Sequence, residues 1–200
     1  MYSYPYEIKE AMAVNNTSEK LIQISMRTFS EKGYYGTSLN NIANDLGVKK
    51  SSLYNYIKSK DDLYGICLEK CMKKGLSLIE NINTQSDNLH EELLSFLRRY
   101  IYDSDYMVKF YLQLSFAPCN FTKDIEEYND KFAVVFSDKL RQIHSYNQLK
   151  IDQDDFVLFV NMFVNGWLYK KAFVQSATTP KKIIKEFEQQ ANLLLNSIQN

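Results

Sequence analysis

The chain repeats its apolar positions at a helical period along most of its length. Leu39, Ile42, Ala43 and Leu46 fall at i, i+3, i+4 and i+7, one apolar stripe that Thr37 or Ser38 can cap and Gly47 can stop. A second short run follows directly after Val48. It keeps Leu53 and Ile57 for packing and turns Lys49, Lys50, Ser51, Ser52, Tyr54, Asn55 and Tyr56 outward. The whole pattern predicts helices over 18–32, 38–46, 49–57, 60–83, 89–102, 105–116, 122–143, 152–176 and 180–198, behind a partly disordered N-terminal arm, 1–17. Ser59 caps the fourth helix, Pro118 stops the sixth, and Thr179 caps the ninth with Pro180 at its first position. No strand alternation runs beyond a few residues and no segment repeats, so the fold class is all-α with nine helices.

A short helix, a glycine turn and a second helix with a polar, hydrogen-bonding face is the pattern of helix-turn-helix DNA binding. The flanks extend it. Ahead lies an apolar helix ending in Phe29-x-x-x-Gly33-Tyr34; behind lies Lys58-Ser59-Lys60-Asp61-Asp62-Leu63. Taken with Thr37-Ser38-Leu39, Ile42-Ala43, Leu46-Gly47-Val48 and Ser52-Leu53-Tyr54-x-Tyr56, this stretch resembles the TetR family of bacterial transcriptional regulators over residues 18–65. Ile57 stands where that family often has Phe, and Ser51 where it often has Gly or Pro. The resemblance implies a three-helix DNA-binding domain over 18–60 and a helical ligand-binding and dimerisation domain over 61–200.

It also implies base-edge contacts from Lys49, Lys50, Ser51, Ser52 and Asn55. Their chemistry suits that role, since lysine pairs with guanine O6/N7, asparagine with adenine N6/N7, and serine is permissive. Tyr54 and Tyr56 present hydroxyls toward phosphate. Thr37 or Ser38 and Lys60 sit at helix N-termini, where backbone amides favour an anion. These would hold register without reading sequence.

The aromatic run from Tyr100 to Phe121 reads as core by its spacing. The family places a small-molecule pocket between its middle helices, so Tyr102, Tyr106, Phe110, Tyr111 and Phe116 are the candidates to line one for an apolar or aromatic effector. The eighth helix is apolar nearly all round, which demands a cover for one face. The resemblance implies a four-helix dimer interface there, with Phe159, Phe163, Gly166 and Trp167 from the eighth helix and Phe187, Ala191 and Leu194 from the ninth.

Charge sharpens the DNA reading. Lysine plus arginine equals aspartate plus glutamate, so the chain is formally neutral. Residues 18–60 nevertheless hold seven basic against three acidic residues, a net +4 that leaves −4 elsewhere. Three cysteines in no disulfide-like pattern and the lack of a secretory or spanning segment fit the cytoplasm, with no membrane partner. No nucleophile elbow, phosphate-cradling loop or metal-ligand spacing is present, so neither enzyme chemistry, a metal nor a cofactor is expected. Cys67 and Cys71 share a helix face and read as small hydrophobes. The expectation is thus a ligand-responsive repressor that binds a pseudo-palindromic operator as a homodimer. The alternatives are an all-α ligand-binding protein and a thiol-sensing regulator with no small effector.

Overall fold

A computed structural model of the chain describes residues 6–102, 105–173 and 180–199. Among them are nine α-helices and no strand: α1 (Tyr6–Gly36), α2 (Leu39–Leu46), α3 (Lys50–Leu53), α4 (Lys60–Glu80), α5 (Leu89–Tyr102), α6 (Asp105–Gln113), α7 (Thr122–Asn147), α8 (Gln153–Phe173) and α9 (Pro180–Gln199). Two 3₁₀ turns, Leu114–Phe116 and Cys119–Phe121, join α6 to α7. No helix among the described residues is long and apolar enough to cross a membrane.

The helices group into two compact units. One holds Met1–Cys71 and Lys109–Thr122, the other Met72–Val108 and Lys123–Asn200. Neither helix four nor helix six therefore belongs wholly to one unit.

The first unit is built around rings. Phe29 meets Tyr64 edge-on at 5.0 Å between centroids, and Tyr64 also meets Phe110 at 5.4 Å and Phe121 at 5.0 Å. Leu21, Met26, Ile42, Leu53 and Leu63 close this core. All are out of water, and burial of such side chains contributes roughly 1.5–3 kcal/mol each.

The second unit packs α5 against α8 and α9. Its core holds Phe96, Phe136, Leu140, Phe156, Phe187, Ala191 and Leu195. At Gly75 of α4 an added Cβ would collide with the Tyr128 hydroxyl of α7, so the missing side chain is what admits the tyrosine. The Lys171 ammonium caps the Ile101 carbonyl near the end of α5 and lies 4.5 Å from the Tyr102 ring.

Two elements depart furthest from the expectation. Helix begins at Tyr6, inside the segment expected to be an arm; residues 1–5 lie outside the described residues. At the other end of α1, Gly33 breaks the helix with φ 68° and ψ 178°, so the regular part stops at Lys32, where the pattern ends it. Residues 34–36 form a separate turn. The third helix is the largest departure: only Lys50–Leu53 is α-helical. Beyond it the amides of Asn55 and Tyr56 reach back three residues, to Ser52 and Leu53, and the chain tightens into turns that draw Ile57 into the core. The Thr179 cap lies outside the described residues.

Candidate nucleic-acid interface

The exposed corner between α2 and α3 is fixed by backbone chemistry at both ends of α2. Ser38, with extended backbone, is the N-cap, and its hydroxyl oxygen accepts the Asn41 amide at 3.2 Å. At the far end Gly47 takes the left-handed conformation, φ 76°. Its N–H donates to Asn44 O at 3.0 Å, and the Val48 N–H donates to Ala43 O at 2.9 Å. This crossed pair is a Schellman turn, which satisfies two orphan carbonyls and sets the direction in which the chain leaves α2. Leu39, Ile42 and Ala43 are buried beneath it, so the corner cannot swing without opening the core.

From that corner the chain presents Lys49, Lys50, Ser51, Tyr54 and Asn55, all exposed, with Ser52 and Tyr56 half-buried. Leu53 and Ile57 point the other way and are buried. Among the described residues, no side chain of Lys49, Lys50, Ser51 or Asn55 engages another protein group through a hydrogen bond or ion pair. Two ammoniums, a hydroxyl and a carboxamide therefore stand together with their donors available. Such a set suits an anionic partner with hydrogen-bonding edges.

Three residues expected at this surface, Thr37, Ser38 and Lys60, have engagements within the chain. Thr37 is buried at 3% exposure, and its hydroxyl donates to Gly33 O at 2.8 Å. Ser38, not Thr37, is the exposed capping residue. The Lys60 ammonium donates to Tyr34 O at 3.0 Å and Thr37 O at 3.1 Å and lies 4.0 Å from the centre of the Tyr34 ring.

Around it lies a network that the sequence did not disclose. The Tyr34 hydroxyl donates to Asp61 Oδ1, and the Asn120 amide donates to Asp61 Oδ2 at 3.4 Å. Burial, then the Asp61 carboxylate, raises the Tyr34 pKa to about 12. The Asp62 amide donates to Ser59 Oγ at 3.0 Å, while Asp62 Oδ2 accepts the Lys58 amide at 2.7 Å. Both bonds close the N-terminus of α4. Gly33-Tyr34 after an apolar helix was the available signal: a broken helix end leaves carbonyls that need a donor.

The five aromatics expected to line a ligand pocket occupy different surroundings. Phe110 is fully buried in the first unit, while Phe116 is 67% exposed. Tyr111 is partly buried and its pKa is raised by burial and then by Cys71. In the second unit Tyr102 stacks edge-on against Phe187 at 5.1 Å, and Tyr106 is half-buried.

The seven positions expected at a dimer interface divide as well. Trp167, Phe187 and Ala191 are buried within the chain itself, with Trp167 edge-on to Phe187 at 5.2 Å. Phe159 and Gly166 are exposed, and Phe163 and Leu194 are half-buried. The outward apolar surface of α8 is Leu158, Phe159, Met162 and Tyr169. Nothing lies within 4 Å of a Cβ built on Gly166. A cleft of about 280 Å³ opens beside it, lined by Met162, Phe163, Gly166, Trp167, Lys170 and Gln190.

Cys67 and Cys71 are buried, while Cys119 is exposed. Burial pushes the Cys71 thiol up to about 12 and raises the Cys67 thiol as well, which disfavours the thiolate at both.

A glycine-turned corner that offers unengaged donors on a compact helical unit, followed by a second helical unit, defines a helical DNA-binding regulator. The comparisons give the family. The model of bacterial regulatory proteins of the tetR family matches residues 21–65, and that of the tetracyclin repressor-like C-terminal domain matches residues 81–197. The chain belongs to the TetR family of transcriptional regulators, which are DNA-binding proteins and not enzymes. It is 28% identical over 180 residues to the biofilm operon icaADBC HTH-type negative transcriptional regulator IcaR of Staphylococcus epidermidis, covering 89% of this chain and 96% of that one. The Staphylococcus aureus protein of the same name is 27% identical over 179 residues, with the same coverage. Among solved structures, the ketosteroid transcriptional regulator KstR2 of Mycobacterium tuberculosis superposes with a TM-score of 0.70 at 18% identity, covering 92% of this chain and 95% of that one. A transcriptional regulator from Aquifex aeolicus gives 0.66 at 21% identity, covering 89% and 99%. At these identities the two structures speak for the fold.

Proposed function

We propose that the chain is a cytoplasmic repressor that grips a pseudo-palindromic operator as a homodimer, each subunit placing its α2–α3 corner in one major groove. The observation that carries this is the row Lys49, Lys50, Ser51 and Asn55, exposed and unengaged beyond the Gly47 turn. Lys50 and Asn55 read base edges; Tyr54 holds a phosphate. Half-sites lie about 34–36 Å apart or somewhat more. The likeness to two regulators named as negative supports repression over activation.

Residues 18–60 form the DNA-binding domain and 61–200 the domain for effector and dimer. The exposed α8 residues Leu158, Phe159 and Met162, with Gly166 among them, support pairing through a second copy. The match to a repressor C-terminal domain model supports an effector role for that domain. An apolar or aromatic small molecule there would favour a conformer with α4 displaced, and the paired corners would no longer match the groove spacing.

The test is an electrophoretic titration with DNA flanking the protein's own gene against a scrambled fragment of equal length, at several salt concentrations. The proposal expects a discrete complex on the native fragment only, weakening steeply with salt. Equal binding to both fragments would count against it.

A further inference from the structure

We infer that Lys60 is a positioning residue for DNA recognition: it clamps the α1–α2 corner from inside and does not hold a phosphate. The inference rests on the operator reading above and gives one residue of that site a different role.

An ammonium has three N–H donors and no more. At Lys60 one goes to Tyr34 O and one to Thr37 O, at 3.0 and 3.1 Å. The third faces the Tyr34 ring, whose centre is 4.0 Å away. No donor is left for a DNA oxygen without breaking one of these. Lys49 and Lys50, by contrast, stand exposed.

The two carbonyls explain the arrangement. Gly33 interrupts α1, and the carbonyls at that end lose their helical partners. Thr37 answers for Gly33 O through its hydroxyl, and its amide for Tyr34 O at 3.3 Å. Lys60 adds a second donor to Tyr34 O and one to Thr37 O, just past the end of α1. It also sets a positive charge at the negative end of the α1 dipole. The same tyrosine is held from its far end, where the hydroxyl donates to Asp61. Lys60 and Asp61 are consecutive, so the first turn of α4 holds both ends of Tyr34. The stretch so fixed is 34–37, immediately ahead of the Ser38 cap and α2. Moving it re-aims the corner that carries Lys50 and Asn55.

The experiment compares the full-length wild type with Lys60→Met and Lys60→Arg on the native and scrambled fragments over a salt series, with circular dichroism confirming the folded state. The clamp predicts that Lys60→Met loses about tenfold or more on the native fragment. Its affinity for scrambled DNA and its salt slope stay at wild-type values, because no phosphate contact has gone. It predicts that Lys60→Arg does not restore native binding, since a longer planar fork cannot replace a point donor beneath two carbonyls and a ring. Three results would each overturn it. One is a slope shallower by roughly 0.9 per subunit with both fragments weakened together, the mark of a lost phosphate contact. Another is full native affinity in Lys60→Arg, and the third is unchanged native affinity in folded Lys60→Met. Should Lys60→Met fail to fold, Lys60→Arg decides alone. Every readout is a ratio to wild type, so failure of the wild type to prefer the native fragment would be a separate result, against the operator reading.

Discussion

Two exposed surfaces of this chain invite opposite partners. The α2–α3 corner shows exposed lysines, serine and asparagine whose side chains engage no other protein group among the described residues. The outer face of α8 shows Leu158, Phe159, Met162 and Tyr169. A surface of free donors gains nothing from meeting an apolar partner, because its groups would be desolvated without replacement. An apolar face gains most by meeting another like itself. The chemistry of what each face leaves unsatisfied separates a nucleic-acid surface from a self-association surface more sharply than net charge, which is zero for the chain.

The sharpest way to break this contrast is to make the apolar face polar. Met162→Asp sets a carboxylate where a second copy is expected, at a position 62% exposed, so the subunit itself keeps its fold. Light scattering should report a monomer, and operator affinity should fall by about 10²–10⁴ through loss of the paired second contact. A variant that stays dimeric would remove α8 from the interface. Trp167 and Val164 are poorer probes, because both are buried within the chain and a charge there would unfold it.

The next perturbation removes one donor from the corner. Asn55→Ala or Lys50→Ala should cost about 1–3 kcal/mol at one base pair and relax preference there, as read by binding to operators varied at single positions. Uniform weakening across all of them would demote the residue to phosphate contact.

The smallest effect belongs to the frame that aims the corner. Ser38→Ala removes the acceptor of the Asn41 amide and should cost about 1 kcal/mol in urea unfolding, with base preference intact. A changed preference would show that the cap itself touches bases.

The contrast also explains what could be read in advance. The α2 stripe, its serine cap and its glycine stop are local events, encoded within ten residues, and the structure repeats them. The boundaries of α5, Leu89–Tyr102, follow equally from local spacing. The short α3 did not, because its fate is decided by Ile57 being drawn into a core assembled from distant segments. The contacts of Lys60 were illegible for the same reason. Nothing near it in the chain signals that its ammonium reaches the carbonyl of Tyr34, 26 residues earlier. The apolar positions of α8 and α9 showed that a face needs cover. They could not show that Trp167, Phe187 and Ala191 are covered by their own chain while Phe159 and Met162 are not.

The central claim is that the donors left free at the α2–α3 corner read a particular duplex. The most direct measurement is selection of fragments from the native genome by the purified protein, followed by titration of the recovered sequence with wild type and Asn55→Ala. The account predicts recovery of a two-fold related site, with the variant losing discrimination at one symmetry-related pair of positions. Recovery of unrelated fragments, bound equally by both proteins, would contradict it.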